Sequence, residues 1–281
     1  MRKRRSSTTA AWLVAVLLVA GATMGVMAGS AGAEVIYKNM PTKHQLDGAE
    51  GFECCGTSSF GGEVTFAGTD RGSPTITVGL LSFGCEQGSD TTCTSKRHAT
   101  FRWPMTLEIY EAGAGESVGP LITRVTREFA IPYRPSESPK CPEEEGWTKG
   151  YGKQCLVAIA DNINYYLPGF KLPNTAIIAL AFNTETYGSM PTGEEGPENS
   201  LNVTVNAKFE CSKENPTTHE CEEFTLGPTG PSVGTDPFPE QVFQSTVYAG
   251  AACGGVEGSF GASGKCWQYA QPAFEVKAKR R

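Results

Sequence analysis

The stretch Leu201-Asn202-Val203-Thr204-Val205-Asn206-Ala207-Lys208-Phe209-Glu210 decides the fold class of this chain. Its odd-numbered positions are apolar and its even-numbered positions are polar. This is the period of two that places successive side chains on opposite faces of a β-strand. We therefore predict a half-buried strand here, with its apolar face against a core and its polar face toward water.

The same alternation recurs along the chain. Met105–Tyr110, Leu121–Ile131 and Val157–Leu167 alternate in this way, although Arg127 and Asp161 interrupt the apolar faces of the last two. The segment Ala176–Phe182 is apolar on both faces, which is typical of a central strand covered on both sides. Shorter strand candidates are Val35–Tyr37, Val64–Phe66, Thr75–Val78, Val242–Tyr248 and Phe274–Ala278.

These strands alternate with turn residues, and no stretch shows sustained helical periodicity. The chain contains 33 Gly and 18 Pro, the residues that most often form turns. We predict an all-β fold: an antiparallel, jelly-roll-like β-sandwich with disulfide-braced loops. Pro104 cannot donate a ladder hydrogen bond and therefore predicts an edge position or a bulge.

Residues 34–281 are predicted to form a single β-sandwich domain. Residues 227–239, rich in Pro and Gly, form a connection to a C-terminal hairpin. The segment after this connection has only two strand candidates, too few to bury a separate core. The hairpin is therefore expected to complete the sheets of the one domain.

Residues 1–33 have the pattern of a secretory signal peptide. Four basic residues, Arg2 to Arg5, precede an apolar run, and Ala31-Gly32-Ala33 is a small-x-small cleavage site. The apolar run is nearly long enough to span a bilayer, so an uncleaved anchor is the alternative. Cleavage is favoured, which predicts a secreted, extracellular protein, with the cell surface as a further location.

Charge excludes some partners. The 30 acidic residues outnumber the 24 basic ones, and four of the basic residues belong to the signal segment. Nucleic acid and anionic membrane surfaces select basic patches, and the chain has none outside its short C-terminal cluster. We therefore expect no nucleic-acid partner, and no membrane partner after signal cleavage.

The ten cysteines all lie after the signal segment. Their spacing includes no C-x-x-C pair, which disfavours zinc-ribbon and thioredoxin-like sites. Eight form four local couples, each around a loop-like segment, although sequence alone does not fix connectivity. The candidate couples are Cys85/Cys93, Cys141/Cys155, Cys211/Cys221 and Cys253/Cys266.

The remaining cysteines, Cys54 and Cys55, are adjacent. Neighbouring Cα atoms lie about 3.8 Å apart, which is short for a disulfide, so a vicinal bridge would be strained and reducible. A redox switch or a rigid ligand-contacting turn is one interpretation. Two free thiols, or separate pairing with other cysteines, are the alternatives.

Several stretches resemble an uncharacterised family of secreted, mostly actinobacterial, β-rich proteins. The resemblance covers nearly the whole of residues 34–281 and implies an extracellular β-rich protein without an assigned activity or catalytic residues. In such proteins Cys85/Cys93, Cys141/Cys155 and Cys253/Cys266 have counterparts, whereas Cys54 and Cys55 do not. The matching stretches include Val35–Pro41, Gly51–Glu53, Val64–Thr69, Met105–Tyr110, Phe129–Ser136, Ile178–Thr184, Ser200–Val203 and Gln271–Val276.

No motif indicates catalysis. The chain has no G-x-S-x-G elbow, and its histidines lie in polar surroundings outside nucleophile or metal motifs. The strand acids Glu108, Glu128 and Asp161 are expected to face solvent, although sequence does not show whether two of them form the carboxylate pair of a glycoside hydrolase. Asp161 interrupts an apolar face, so it is expected to be buried and paired, for example with Arg127, and the alternative is that it marks a binding cleft. We therefore predict a protein that is not an enzyme and has no catalytic residues, cofactor or metal.

Aromatic residues give the one positive indication of a ligand. Trp147 and Tyr151 lie between Cys141 and Cys155, and Trp267 and Tyr269 come directly after Cys266. Rings on loops pinned by disulfides suit sugar stacking, but they equally suit packing the loops onto the domain. We predict a non-catalytic envelope or extracellular interaction module, with a cell-wall or extracellular glycan or another surface protein as partner. The alternative is a carbohydrate-binding, remotely glycan-hydrolysing, β-sandwich.

Overall fold

The computed structural model describes residues 32–41, 49–51, 56–88, 92–141, 147–148, 155–182, 199–214, 221–246, 256–263 and 268–279. Residues Gly32–Arg281 form one compact unit. The strands are β1 (Ala33–Lys38), β2 (Ala49–Gly51), β3 (Thr57–Thr65), β4 (Gly72–Ser82), β5 (Thr100–Ala112), β6 (Val118–Pro132), β7 (Trp147–Thr148), β8 (Cys155–Leu156), β9 (Ile159–Tyr166), β10 (Thr175–Ala181), β11 (Leu201–Glu214), β12 (Cys221–Pro228), β13 (Phe243–Thr246), β14 (Val256–Glu257), β15 (Gly261–Ala262), β16 (Gln271–Pro272) and β17 (Phe274–Lys279).

Two sheets make up most of the structure. Sheet A has the order β1-β17-β4-β11-β12, with β9 on β4 and both β2 and β16 on β11; sheet B has the order β14-β13-β3-β10-β5-β6, with β15 on β13. The described strand pairs are antiparallel, apart from the parallel pair β13–β14. The predicted all-β, antiparallel sandwich class is confirmed, and the finer jelly-roll assignment stays a prediction.

The core lies between the two sheets. Sheet A contributes Ile76, Val78 and Leu80 from β4, and sheet B contributes Met105 and Leu107 from β5, all fully buried or nearly so. Burying side chains of this size from water is the main source of stability in such a fold. In each of these strands, every second residue faces the core. These are the apolar positions that the period-two pattern in the sequence identifies.

Strand β10 is the central strand of sheet B. It pairs with β3 on one side and with β5 on the other, and Ala176–Leu180 are completely buried. Its continuous apolar sequence predicts a strand covered on both faces, and the structure confirms this.

Strand β11 differs from its prediction. Leu201, Val203 and Val205 are buried as expected, but Thr204 and Asn206 on the polar face are buried as well. Near the middle of the strand, Thr204 and the end of Met40 both lie next to Gly79. The half-buried prediction is therefore wrong for this part of the strand, because sheet A is covered on its outer surface there.

Pro104 lies in the part of β5 that pairs with a single neighbouring strand among the described residues. Strand β5 pairs with β10 only from Thr106 onward, whereas it pairs with β6 from Thr100. In the described residues the part of β5 that contains Pro104 therefore has a single neighbour, and its missing N–H costs no ladder hydrogen bond.

The two lateral sides of the sandwich are built differently. On the closed side, a segment that we call the strap (residues 232–241) joins the sheets: Val233 pairs with Lys38 of β1, and Thr235 pairs with Thr65 of β3. Buried Gln271 holds the strap further, because its Nε2 donates to the backbone carbonyls of Phe238, Pro239 and Gln241. The strap lies within and just beyond the predicted connection 227–239.

On the opposite side, which we call the open side, β6 of sheet B lies beside β9 of sheet A. Arg127 Nη2 donates to the carbonyl of Tyr166 at 2.7 Å, and the rings of Phe129 and Tyr165 meet edge to face at 5.1 Å. Each of these described contacts involves a side chain, whereas backbone–backbone hydrogen bonds join the strap to both sheets on the closed side.

The C-terminal segment does not form the predicted hairpin. Strand β13 pairs with β3 in sheet B, whereas β17 pairs with β1 and β4 in sheet A. The pattern of Val242–Tyr248 and Phe274–Ala278 indicates two strands correctly, but local spacing carries no information on which sheet each one joins. The segment therefore contributes one strand to each layer.

Candidate functional site

Disulfides brace the loops at one end of the sandwich, where β4, β6 and β10 end and β5, β9 and β11 begin. Cys85 is bonded to Cys93, and Cys141 is bonded to Cys155. These two predicted couples are confirmed. We call this region, residues 83–88, 92–99 and 133–141 together with the strands β7 and β8, the braced end.

The first loop of the braced end is a small hairpin closed by its disulfide. Gln87 and Thr94 exchange both backbone hydrogen bonds, at 3.0 and 2.8 Å, and the two bonded cysteines are buried. The carboxylate of Glu86 accepts the backbone N–H of Lys96 at 2.7 Å. This hydrogen bond holds the pKa of Glu86 below its usual value. The loop is therefore ordered by bonds within its own sequence.

The segment after β6, residues 133–141, packs against the first loop and forms hydrogen bonds to it. The buried side chain of Arg134 donates through Nε to the carbonyl of Phe83 at 3.1 Å and forms an ion pair with Glu137. The N–H of Glu137 in turn donates to the carbonyl of Cys93 at 3.0 Å. Because this segment leads directly to Cys141, the two disulfide loops are joined into one structure.

The second loop contains the first pair of candidate aromatic residues. Trp147 lies in β7 opposite Leu156, and Thr148 lies opposite Cys155. The backbone at Trp147 is therefore fixed by a strand pair directly beside the disulfide. The side chain of Trp147 and the whole of Tyr151 lie outside the described residues.

Of the second candidate pair, Tyr269 lies elsewhere in the fold. Trp267 is outside the described residues, and Tyr269 shortly precedes β16, which pairs with β11. Tyr269 has a φ of 69°, in the left-handed region that bulky residues rarely occupy at a cost of roughly 1–2 kcal/mol. Its carbonyl accepts the N–H of Gln271 at 3.0 Å. Trp147 and Tyr269 therefore lie beside different sheets.

The other predicted cysteine features stay predictions. Cys211 lies in β11 opposite Phe224, and Cys221 lies in β12 opposite Glu214, so the register does not set these cysteines directly opposite each other. Their side chains, together with Cys253, Cys266, Cys54 and Cys55, lie outside the part of the chain that the structure describes.

Buried acids are functional groups that the sequence pattern misses. Glu128 is exposed, as predicted for strand acids, but Glu108 is buried on the outer face of sheet B. Its carboxylate accepts the hydroxyl of Tyr110 at 2.8 Å and Arg124 Nη2 at 3.0 Å. The prediction of a solvent-facing Glu108 is wrong because Tyr110 and Arg124 lie against its carboxylate, and the ring of Phe260 in turn stacks on Tyr110 at 4.9 Å between centroids.

A second buried carboxyl lies on the closed side. Glu63 is 4% exposed, and its Oε2 atom is buried without a hydrogen-bond partner among the residues that the structure describes. Burial raises the pKa of Glu63. The pKa of Asp236, in the strap, is raised to about 7, chiefly by burial, with further contributions from the negative charges of Glu63 and Glu240. The N–H of Phe238, 3.1 Å from Oδ1, opposes this shift. Together these groups favour a carboxyl that keeps its proton near neutral pH.

The proximity of Glu63 and Asp236 is visible only in the folded structure. Glu63 comes after Gly61 and Gly62 in an unremarkable strand pattern, and Asp236 lies 173 positions away in a Pro-rich connection. The one local sign is Asp236-Pro237, a dipeptide typical of turns.

The described residues contain no group of three or more His, Cys, Asp or Glu side chains arranged to hold a metal ion. Nor do they include a helix long and apolar enough to cross a membrane.

Comparison with known proteins gives no relative: no family model, curated protein or solved structure matches the chain. The resemblance to uncharacterised secreted actinobacterial proteins therefore stays a prediction. Any proposed function accordingly depends on the chain's own residues.

Proposed function

We propose that the chain is exported, loses residues 1–33, and acts outside the cell as a non-catalytic interaction module whose contact surface is the braced end. The observation that carries this proposal is the segment 133–141, in which buried Arg134 binds the carbonyl of Phe83 beside the first disulfide and which ends at Cys141 of the second. Rigid loops at one end of a sandwich present a preformed surface, which reduces the entropy cost of binding.

The partner fits a cell-wall or extracellular glycan, or another surface protein. The exposed residues of the first loop include Lys96, Arg97 and His98. These side chains offer hydrogen-bond donors to hydroxyl and carboxylate groups. A net charge of −6 for the whole chain supports selective contact rather than general attraction to polyanions.

A pulldown on cell-wall material and a glycan panel tests the proposal. We expect the oxidised protein to be retained and to release no product. Arg97→Glu should reduce retention, whereas Lys171→Glu, the same charge change beyond the opposite ends of the strands, should leave it unchanged. Equal retention of both variants would place the contact surface elsewhere, and turnover of a panel glycan would contradict a non-catalytic role.

Carbohydrate binding is the second candidate, and the fixed backbone of Trp147 beside Cys155 supports it. A ring held on a rigid strand can stack on a sugar face at a low entropy cost. Trp147→Ala should then abolish glycan retention, while Tyr166→Ala, which removes an exposed ring from β9, should not. Unchanged retention in Trp147→Ala would show that Trp147 does not stack on the glycan and would contradict this second candidate.

A further inference from the structure

The outer edge of β6 is the most extended unpaired edge in the described structure. Strand β6 has 15 residues and, within the described part of the chain, pairs only with β5. Such an edge presents a row of free N–H and C=O groups and is a template for another strand. Proline would block pairing, but Pro120 and Pro132 lie near its ends, so the window Thr123–Phe129 contains neither Pro nor Gly.

Three exposed hydrophobic side chains lie in or near the two strands of the open side. Among the described residues, the large hydrophobic side chains that are exposed are Leu121 (41%), Val157 (40%) and Tyr166 (39%). Leu121 lies in β6, Tyr166 lies in β9, and Val157 lies two residues before β9. Val157 and Tyr166 lie near opposite ends of β9, so these side chains offer separate contacts to a partner rather than one apolar patch.

The charges of β6 are self-complementary. Glu108, Thr106 and Pro104 of β5 lie opposite Arg124, Thr126 and Glu128 of β6, so these three β6 residues share the outer face of sheet B. Arg124 and Glu128 are spaced equally on either side of Thr126. When two copies pair antiparallel about Thr126, each Arg124 therefore lies opposite the Glu128 of the other copy.

This pairing would also continue a charge row that each copy already contains. Within one copy, Arg124 binds Glu108 at 3.0 Å and Arg102 binds Glu128 at 2.9 Å. Across the joined edges the row would read Glu108, Arg124, then Glu128 and Arg102 of the second copy. Every charge then has only opposite charges as neighbours, the arrangement that stabilises cross-strand pairs.

The inner face of the edge is compatible with the same register. Val125 would lie opposite Arg127 of the second copy, and Thr123 opposite Phe129. The guanidinium of Arg127 is directed toward β9, where it binds the Tyr166 carbonyl and lies 5.9 Å from the centre of the Tyr165 ring. It therefore does not bring two like charges together at the joined edges.

We propose that two copies of this chain associate through antiparallel pairing of β6 about Thr126, which joins their B sheets into one continuous sheet. The contact is isologous, since the same surface of both copies takes part, and the assembly closes at two copies. It lies on the open side, apart from the proposed contact surface at the braced end.

Cysteine crosslinking tests the register of this dimer. Paired residues on adjacent strands have Cβ atoms about 4.5–5.5 Å apart, so Thr126→Cys should form a covalent dimer in air. The matched control is Ala130→Cys, on the same exposed face. Its two copies would lie eight positions apart along the paired strands, about 27 Å, and should not crosslink. Equal crosslinking of the two variants, or no crosslinking of either, would overturn the proposal.

Charge reversal tests the interface without an added cysteine. In Glu128→Arg, the new arginine of each copy would lie opposite Arg124 of the other copy. These two like-charged pairs should weaken association about tenfold or more, measured by sedimentation of the oxidised protein. Glu111→Arg makes the same charge change at an exposed position of β5, away from the edge, and should leave association unchanged. A wild-type protein that sediments as a monomer at about 100 µM, or equal effects of both variants, would contradict the β6 interface.

Discussion

The closed and open sides of the sandwich hold its two sheets together by different means. On the closed side the strap forms backbone hydrogen bonds to both β1 and β3, and Gln271 binds three strap carbonyls. On the open side, side chains such as Arg127 and Phe129 contact β9 while the outer edge of β6 stays unpaired in the described residues. This difference indicates that the closed side carries stability and that the open side is available for association.

The largest effect is expected from Gly62→Ala on the closed side. A β-carbon at Gly62 would lie 2.3 Å from Gln271 Oε1 and 3.2 Å from Pro272 Cδ. The Gln271 side chain would have to move, which breaks its bonds to the strap. We expect a loss of about 2–3 kcal/mol in the free energy of unfolding, measured in urea.

Gly72→Ala is the control for this change, because its β-carbon would meet nothing within 4 Å. It also lies in a strand, so the backbone effect of the substitution is similar. If Gly62→Ala and Gly72→Ala cost the same, the fixed position of Gln271 does not hold the closed side together.

The next largest effect is a pH dependence caused by Asp236. Its pKa of about 7 in the folded protein lies above the unfolded value of about 4. The folded state therefore holds more protons in this interval, and stability falls as pH rises from about 4 to 7. Asp236→Asn removes this loss and keeps an acceptor for the Phe238 N–H.

We expect Asp236→Asn to raise the free energy of unfolding at about pH 8 by on the order of 2 kcal/mol and to leave it nearly unchanged at about pH 4. Urea unfolding at both pH values measures the difference, and Glu116→Gln in the exposed turn after β5 serves as the control. An equal effect of Asp236→Asn at both pH values would show that the carboxyl titrates normally in the folded protein.

A smaller effect is expected on the open side from Arg127→Ala. The substitution removes the hydrogen bond to the Tyr166 carbonyl and the cation above the Tyr165 ring. Together these contacts stabilise the fold by about 1 kcal/mol. Arg97→Ala, at an exposed site in the first disulfide loop, should change stability by less than about 0.5 kcal/mol. A loss in Arg127→Ala as large as that in Gly62→Ala would remove the distinction between the two sides.

Local sequence patterns predict the strands well because period-two alternation reflects which face of a strand meets the core. They predict β10 and the apolar face of β11, and they identify Pro104 as an edge residue. They do not predict that Thr204 is buried or that Glu108 is buried beside Tyr110, because burial of these residues depends on the segments that pack on the outer face of each sheet. Whether the polar face of a strand is buried depends on segments that are distant in the sequence.

The features of the candidate sites also fall into two groups, those predictable from local sequence and those that depend on the fold. The couples Cys85/Cys93 and Cys141/Cys155 are local in sequence, and spacing with loop composition is enough to predict them. The pair Glu63 and Asp236 and the row of charges from Glu108 to Arg124 arise only when strand order and register bring separate segments together. The free edge of β6 is likewise not predictable until the strand order of the sheet is known.

Hydrogen–deuterium exchange at low and high protein concentration tests the distinction between the sides most directly. We predict that the strap-side amides of Lys38 and Thr65 exchange slowly at both concentrations, because their backbone bonds lie within one chain. Outward-facing amides of Thr123–Phe129 should exchange quickly in dilute protein and become protected at high concentration. Exchange in this window that does not depend on concentration, or fast exchange at Lys38 and Thr65, would contradict the distinction.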